Sequence, residues 1–371
     1  MTRDGTRVVR AGLPPPAPGE PLLPGPVFAA PYHLPAGTGE LTYGYGRSEN
    51  PTWSAFERAL GELEGGEAVV FGSGMAAATA VLQAFLRRGD TLVMVSDGYF
   101  TVREFTDEHL LAAGVRVTRR ATADPELARL AEGAALVWIE SPSNPGLDVC
   151  DIAAIAEAAH RGGGLVAVDN SLATPLGQRP LELGADLSVA ADTKGLTGHS
   201  DLVLGHVAAR DAELAARVRS WRLHAGAVAG PFEVWLAHRS LATLDVRLER
   251  QCQNALAVAR AAAAEAGVGA VRYPGLPGDP AHALAARQMR RFGGVLTIDL
   301  GDEEAAGRFL AALRIVVHAT SFGGVHSSAE RRARWGGDDV SPGLVRLSAG
   351  IEDTGDLVED VTRAVAAATR A

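Results

Sequence analysis

Lys194 stands in Ala191-Asp192-Thr193-Lys194-Gly195-Leu196-Thr197-Gly198-His199-Ser200-Asp201, just past an apolar run from Leu187 to Ala190. Small and hydroxyl-bearing neighbours at a strand end put it where α/β folds bind ligands. An amine desolvated there loses its proton more readily and becomes a nucleophile able to form a Schiff base. Asp169, in Val168-Asp169-Asn170, closes a second apolar run. A carboxylate so placed can pair with a cationic ring nitrogen, as pyridoxal phosphate (PLP) requires. Gly72-Ser73-Gly74-Met75 separates a strand-like from a helix-like segment. Its small residues let backbone N–H groups approach a phosphate at a helix N-terminus. Tyr43-Gly44-Tyr45-Gly46-Arg47 adds a guanidinium that can fork onto phosphate oxygens, and Tyr99 adds a ring able to stack on a flat ligand. Residue types and spacing therefore define a lysine, an acid and an anion site at strand ends. They do not choose PLP over a nucleotide.

Such groups must be held by a sheet whose strand ends converge. Apolar runs at 68–71, 91–95, 115–118, 135–139, 165–168 and 187–190 read as strands. Helical spacing falls between them, from Pro51, from Met75 to about Leu86, and over 151–159. Near-continuous apolar strands separated by helices predict a mostly parallel sheet covered on both faces. After Gly230-Pro231 a long Ala/Leu/Arg helical pattern runs to about Ala266. Strands at 295–299, 315–317 and 344–348, with helices at 302–313 and 354–369, then predict a smaller α+β unit. The expected division is an arm over 1–50, a ligand-binding α/β domain over 51–250 and a C-terminal α+β domain over 251–371. The arm is Pro- and Gly-rich and cannot bury itself, so it is expected to lie on another surface, such as a second subunit.

Composition narrows the function classes. The chain has 371 residues, 47% of them hydrophobic, and a formal net charge of −9. An acidic protein of this kind is not expected to bind nucleic acid or an anionic membrane. Cys150 and Cys252, the two cysteines, cannot form a disulfide framework and suit a reducing cytoplasm. No apolar run approaches the ~18 residues of a membrane span, and no metal-ligand cluster is read. No secretory signal is read at the N-terminus.

Six segments carry a resemblance. They are Tyr45-Gly46-Arg47-Ser48-Glu49-Asn50-Pro51-Thr52, Ser73-Gly74-Met75-Ala76-Ala77, Glu140-Ser141-Pro142-Ser143-Asn144-Pro145, Val168-Asp169-Asn170, Thr193-Lys194 with Gly198-His199-Ser200-Asp201, and Val345-Arg346-Leu347-Ser348-Ala349-Gly350-Ile351-Glu352. In this order they resemble the Cys/Met-metabolism PLP enzymes, which include cystathionine γ-lyases, γ-synthases and β-lyases and methionine γ-lyases. The resemblance implies a fold-type I PLP enzyme, usually a homotetramer of tight dimers, acting on a small amino acid. Carried across, Lys194 matches the lysine that holds the cofactor covalently and Asp169 the partner of the pyridine nitrogen. Tyr99 matches the stacking ring. Gly74, Met75 and Thr193 match phosphate contacts, and Tyr45 and Arg47 match residues that reach the neighbouring subunit's phosphate. Arg346, helped by Asn144 and Ser327, matches the grip on the substrate α-carboxylate.

The implied activity is γ-elimination of a sulfur amino acid, cystathionine γ-lyase-like, with Lys194 and Tyr99 moving protons. The alternatives are methionine γ-lyase, γ-replacement on an acylhomoserine, and a catalytically silent PLP-fold binding protein. The chain departs from the pattern in places. Ala191 stands where a phosphate-binding Ser is usual, and Gly195 where Tyr is common. Tyr99-Phe100-Thr101 is shortened and lacks the cysteine typical of methionine γ-lyases. His326 replaces a Glu, and residues 331–339 replace a Pro/Thr-His segment. His326 and 331–334 are therefore expected to shape the distal end of the substrate pocket.

Overall fold

Asp4–Arg10 form a short helix, α1, within the segment expected to be an extended arm. In this computed structural model, which describes residues 2–37, 39 and 41–369, Val8 and Ala11 pack with Trp53 and Phe56 of the same chain. Asp4 ties the helix down through Arg179 at 2.6 Å. The first residues thus find a partner within their own chain. Two apolar positions one turn apart were too weak a periodic signal to read. From 13 to 49 the described residues form no helix or strand beyond a bridge between Pro31 and Tyr45. Leu22, Phe28 and Leu34 stand exposed there.

The elements then follow in chain order. They are α2 (Pro51–Glu64), β1 (Glu67–Phe71), α3 (Gly74–Phe85), β2 (Thr91–Val95), α4 (Phe100–Phe105), β3 (Arg116–Arg120), α5 (Glu126–Ala131), β4 (Leu136–Glu140) and α6 (Ile152–Arg161). Next come β5 (Leu165–Asp169), α7 (Thr174–Gly177), β6 (Leu187–Ala190), β7 (Gly205–Ala209), α8 (Ala212–Ala225), α9 (Pro231–Leu241) and α10 (Leu244–Ala264). The chain ends with β8 (Ala270–Arg272), α11 (His282–Gln288), β9 (Val295–Asp299), α12 (Glu303–Ala312), β10 (Val317–His318), β11 (Ser328–Arg331), β12 (Leu344–Ser348) and α13 (Thr354–Thr369).

Several starts have local causes. Asn50 accepts from the Thr52 amide with Pro51 in the first turn, which begins α2. The Ser73 hydroxyl accepts from the Ala76 amide and begins α3, and Asp151 does the same for α6. The helical pattern from Pro231 onward is two helices, not one. Arg247 closes the break between them, donating to Thr243 Oγ1 and Ser240 O. Ala242 and Thr243 carry no strong breaker signal, so the interruption is not legible from propensity alone.

Seven strands form the large sheet in the order β1-β7-β6-β5-β4-β2-β3. The neighbours from β6 to β3 are parallel, and β7 runs antiparallel to both β1 and β6. Alternate residues of β2, β4 and β5 feed two cores. Phe71, Met94 and Trp138 pack under α3 and α8, whereas Val95, Ile139 and Val168 pack under α5 and α6. Burying each such side chain stabilises the sheet by roughly 1.5–3 kcal/mol. The second sheet, β10-β11-β12-β9-β8, rests on α10, α12 and α13 around Ile298, Phe309 and Val361. Among the described residues no helix is long and apolar enough to cross a membrane.

Candidate functional site

The carboxyl ends of β4, β5 and β6 open on one cavity of about 420 Å³, closed from the other side by β12 and residues 320–322 and 332–335. Lys194, Asp169, Gly74, Met75, Tyr99, Thr193, Asn144 and Arg346 all line it. The structure thus brings together eight of the twelve residues singled out from the sequence.

Lys194 is positioned by its loop. Arg247 donates to Gly195 O at 2.8 Å and Leu196 O at 2.9 Å, pinning the chain just past the lysine. On the other side, Asp192 is held by His206 Nδ1 at 2.6 Å. The amine donates to Ser321 Oγ at 2.7 Å and lies 5.1 Å from the Phe322 ring centroid. Burial, reinforced by the positive charges of Arg346 and Arg332, lowers its pKa to about 8. No carboxylate among the described residues forms an ion pair with it.

Asp169 ends β5, and its Oδ1 accepts from the Ser171 amide at 3.0 Å. Burial pushes its pKa up. Beside it, Glu140 ends β4 and accepts from the Tyr99 amide at 2.6 Å, which fixes the start of α4. Burial, then the neighbouring Asp169 charge, pushes Glu140 well up. The Tyr99 ring meets Phe100 edge-on at 5.2 Å.

At the head of α3, a Cβ on Gly74 would fall 2.6 Å from the Ala191 Cβ, so only glycine fits there. Ser73 caps the Ala76 amide, and the Gly74 and Met75 amides have no acceptor among the described residues. A helix start with free donors facing a cavity suits a phosphate. Thr193 is less free. Its hydroxyl accepts from the Leu204 amide at 3.0 Å and donates to Leu204 O at 3.1 Å.

These features fit PLP. A half-buried carboxylate without an ion-pair partner among the described residues, an amine of lowered pKa and an open helix N-terminus line the same cavity. Asp169 would face the pyridine nitrogen, Gly74 and Met75 the phosphate, and Lys194 the aldehyde carbon.

Arg346, on β12, grips the other side. Its NH1 donates to Asn144 Oδ1 at 2.6 Å and its NH2 to Ser321 O at 3.1 Å. NH2 also meets Glu330 Oε1.

Four expected site residues lie elsewhere. Ser327 is buried and exchanges hydrogen bonds with Glu352 and the Gly350 amide. His326 is exposed and does not reach the cavity. Of the 331–334 segment, Arg332 lines the cavity, while Arg331 pairs with Glu303 and Arg334 lies over the Trp335 ring. Neither Tyr45 nor Arg47 lines this chain's cavity, and Arg47 donates to Leu223 O at 3.0 Å.

Sequence reasoning missed Ser321, Phe322, Glu330, Trp335 and Glu140, and named Arg332 only as part of the 331–334 segment. Glu140 was visible as the first residue of a quoted segment. A plainer signal also went unused: Lys194 is the only lysine in the chain, the other 34 strong cations being arginine.

Comparison with known proteins places this geometry. The family profile described as Cys/Met metabolism PLP-dependent enzyme matches residues 28–366. A Streptomyces coelicolor protein named "Putative cystathionine gamma-lyase" is 56% identical, over 98% of this chain and 93% of its own. A cystathionine γ-synthase of Mycobacterium tuberculosis is 40% identical, over 97% of this chain and 96% of its own. The solved structure of a methionine γ-lyase from Micromonospora echinospora superposes with a TM-score of 0.92 at 39% identity, over 98% of this chain and 99% of that one.

Proposed function

The chain belongs to the Cys/Met-metabolism family of PLP-dependent enzymes, and from that premise we propose γ-elimination of a sulfur amino acid, cystathionine γ-lyase-like. The reaction takes L-cystathionine and water to cysteine, 2-oxobutanoate and ammonia. One observation carries the reading: Lys194, Asp169 and Arg346 share one cavity with a free helix N-terminus.

PLP bound there supplies an electron sink for the pairs left when protons leave the substrate carbons. The residues do the rest. Arg346 and Asn144 take the substrate α-carboxylate, which orients the α-hydrogen toward the Lys194 side. Lys194 Nζ, with its pKa near 8, is neutral in about a tenth of molecules at pH 7, against well under a hundredth for an ordinary lysine, and accepts that proton. Ser321 Oγ anchors the amine between transfers. The Tyr99 hydroxyl shares proton movement toward the leaving sulfur. The Asp169 carboxylate stabilises a protonated ring nitrogen that burial would otherwise disfavour. Gly74 and Met75 amides hold the phosphate, and Thr193 joins them by turning its hydroxyl proton away from Leu204 O.

A second reading, methionine γ-lyase, is favoured by one observation. Among the described residues lining the cavity, the only carboxylates are Glu140 and Asp169. Neither is placed as a partner for the distal ammonium of cystathionine, and His326 lies outside.

We also propose a cytoplasmic homotetramer built from dimers, with Tyr45 and Arg47 completing the neighbouring subunit's phosphate site. Exposed Leu22, Phe28 and Leu34 on the same arm support it.

Product analysis tests the function. The holoenzyme is given L-cystathionine, L-methionine, or an acylhomoserine with cysteine. Keto acid from cystathionine without added thiol is expected. Keto acid from methionine alone would select the second reading, and cystathionine formed without keto acid would mean γ-replacement.

A further inference from the structure

The β11–β12 register sets Glu330 directly opposite Arg346. The two side chains therefore meet before any substrate arrives. A carboxylate that absorbed all of Arg346's charge would leave a neutral pair, and a neutral pair attracts an incoming α-carboxylate only weakly.

A second guanidinium changes that balance. Arg332 NH1 donates to the same Glu330 Oε1 at 2.9 Å. Its Nε and NH2 donate to Asp338 Oδ2 at 3.1 and 2.5 Å. Arg103 follows, meeting Asp338 Oδ1 at 3.3 Å and Gly337 O at 2.6 Å. Charges thus alternate along Arg346, Glu330, Arg332, Asp338 and Arg103, three guanidiniums against two carboxylates. The first four residues of this series are no more than 4% exposed as side chains, so solvent screens them little. Asp169 and Glu140, the carboxyls that line the cavity, form no ion pair with these arginines among the described residues. Arg346 Nε has no acceptor among the described residues.

We propose that Arg332 is a positioning residue for the substrate α-carboxylate: it shares Glu330 and so keeps a net positive charge available at Arg346. The inference rests on the reading that Arg346 takes the α-carboxylate. The same excess is felt at Lys194, where the Arg346 and Arg332 charges add to burial in lowering the amine's pKa. Arg332 has no direct contact with substrate in this account; Arg346 makes it.

Spectral titration of the holoenzyme with L-alanine and L-alaninamide tests the proposal, since only the first carries a carboxylate. Wild type should prefer L-alanine. R332Q should weaken L-alanine about tenfold and L-alaninamide less than about twofold, because Glu330 then neutralises Arg346. Adding E330Q to R332Q should restore L-alanine to within about threefold of wild type, a rescue that a merely structural role would not give. D338N removes a negative charge and should tighten L-alanine about threefold; it decides the matter if R332Q does not fold. Unchanged L-alanine affinity in R332Q, equal losses for both ligands, failure of the E330Q rescue, or selective weakening in D338N would overturn the proposal. A wild type that does not distinguish the two ligands would contradict the assignment of Arg346 as well.

Discussion

Lys194 Nζ donates to Ser321 Oγ across 2.7 Å, and Ser321 holds the left-handed φ of 80°. That backbone angle is unfavourable for a residue with a Cβ. It turns the Ser321 carbonyl to Arg346 NH2 at 3.1 Å while the hydroxyl faces the lysine. One strained residue therefore fixes the amine and the guanidinium relative to each other.

Ser321→Ala should lower kcat/KM by about 10- to 100-fold, the loss of one hydrogen bond to a charged group. Ser321→Gly should lose as much activity but gain about 1 kcal/mol of stability over the alanine variant, since glycine accepts the positive φ. Steady-state kinetics and denaturant midpoints check both. Full activity in Ser321→Ala would contradict the anchoring role.

A single lysine makes its titration directly observable. Protein labelled with ¹³Cε-lysine, freed of cofactor, should show one signal titrating at about 8. A midpoint near the ordinary ~10.4 would mean the amine is not desolvated. The folded pKa is depressed, so the folded state disfavours the ammonium. That cost to stability is present below about 8 and is relieved as pH rises toward the ordinary value.

His206 lies fully buried between Asp192 at 2.6 Å and Glu64 at 3.2 Å; burial disfavours its charge, but the two carboxylates outweigh that and raise its pKa to about 10. The folded pKa exceeds the unfolded one. Its stabilising contribution is therefore full below about 6.5 and drains away as pH rises toward 10. His206→Gln should destabilise by roughly 3–5 kcal/mol at pH 7, because it leaves two buried carboxylates without a cation. The gap between wild type and variant should narrow steadily from pH 7 to 10. Chemical denaturation at several pH values measures it, and a gap independent of pH would sink the prediction.

Arg47 lies away from its own cavity, so a shared site predicts complementation. Lys194→Ala and Arg47→Gln, each inactive alone, should regain about a quarter of wild-type activity when unfolded and refolded together, since half of random dimers are mixed and each has one intact site. No recovery in mixtures shown to contain mixed dimers would contradict the sharing.

Much of the site was legible because its residues end apolar runs. Asp169 and Lys194 close β5 and follow β6, and a parallel sheet brings such ends together whatever lies between. The Gly72–Met75 turn was legible between its strand and its helix, although the helix starts one residue earlier than its Met75 reading, capped by Ser73. Ser321 was not, because nothing local separates it from Ser327; only the fold turns one toward Lys194 and the other toward Glu352. Glu330 escaped notice, and Arg332 was read only as part of a pocket segment, because what they do depends on Glu330 lying opposite Arg346 across the strands. Residue Val8 shows the same limit at the N-terminus, where a seven-residue helix is held by tertiary contact rather than by its own pattern.

Borohydride reduction tests the central claim most directly, because the chain offers one lysine. The PLP-loaded enzyme is reduced, assayed for 2-oxobutanoate from L-cystathionine and L-methionine, and digested for peptide mass. The account predicts one pyridoxyl group per chain on the peptide carrying Lys194, with keto-acid formation abolished. An unmodified Lys194 peptide from an enzyme that bound PLP and made keto acid before reduction would contradict it.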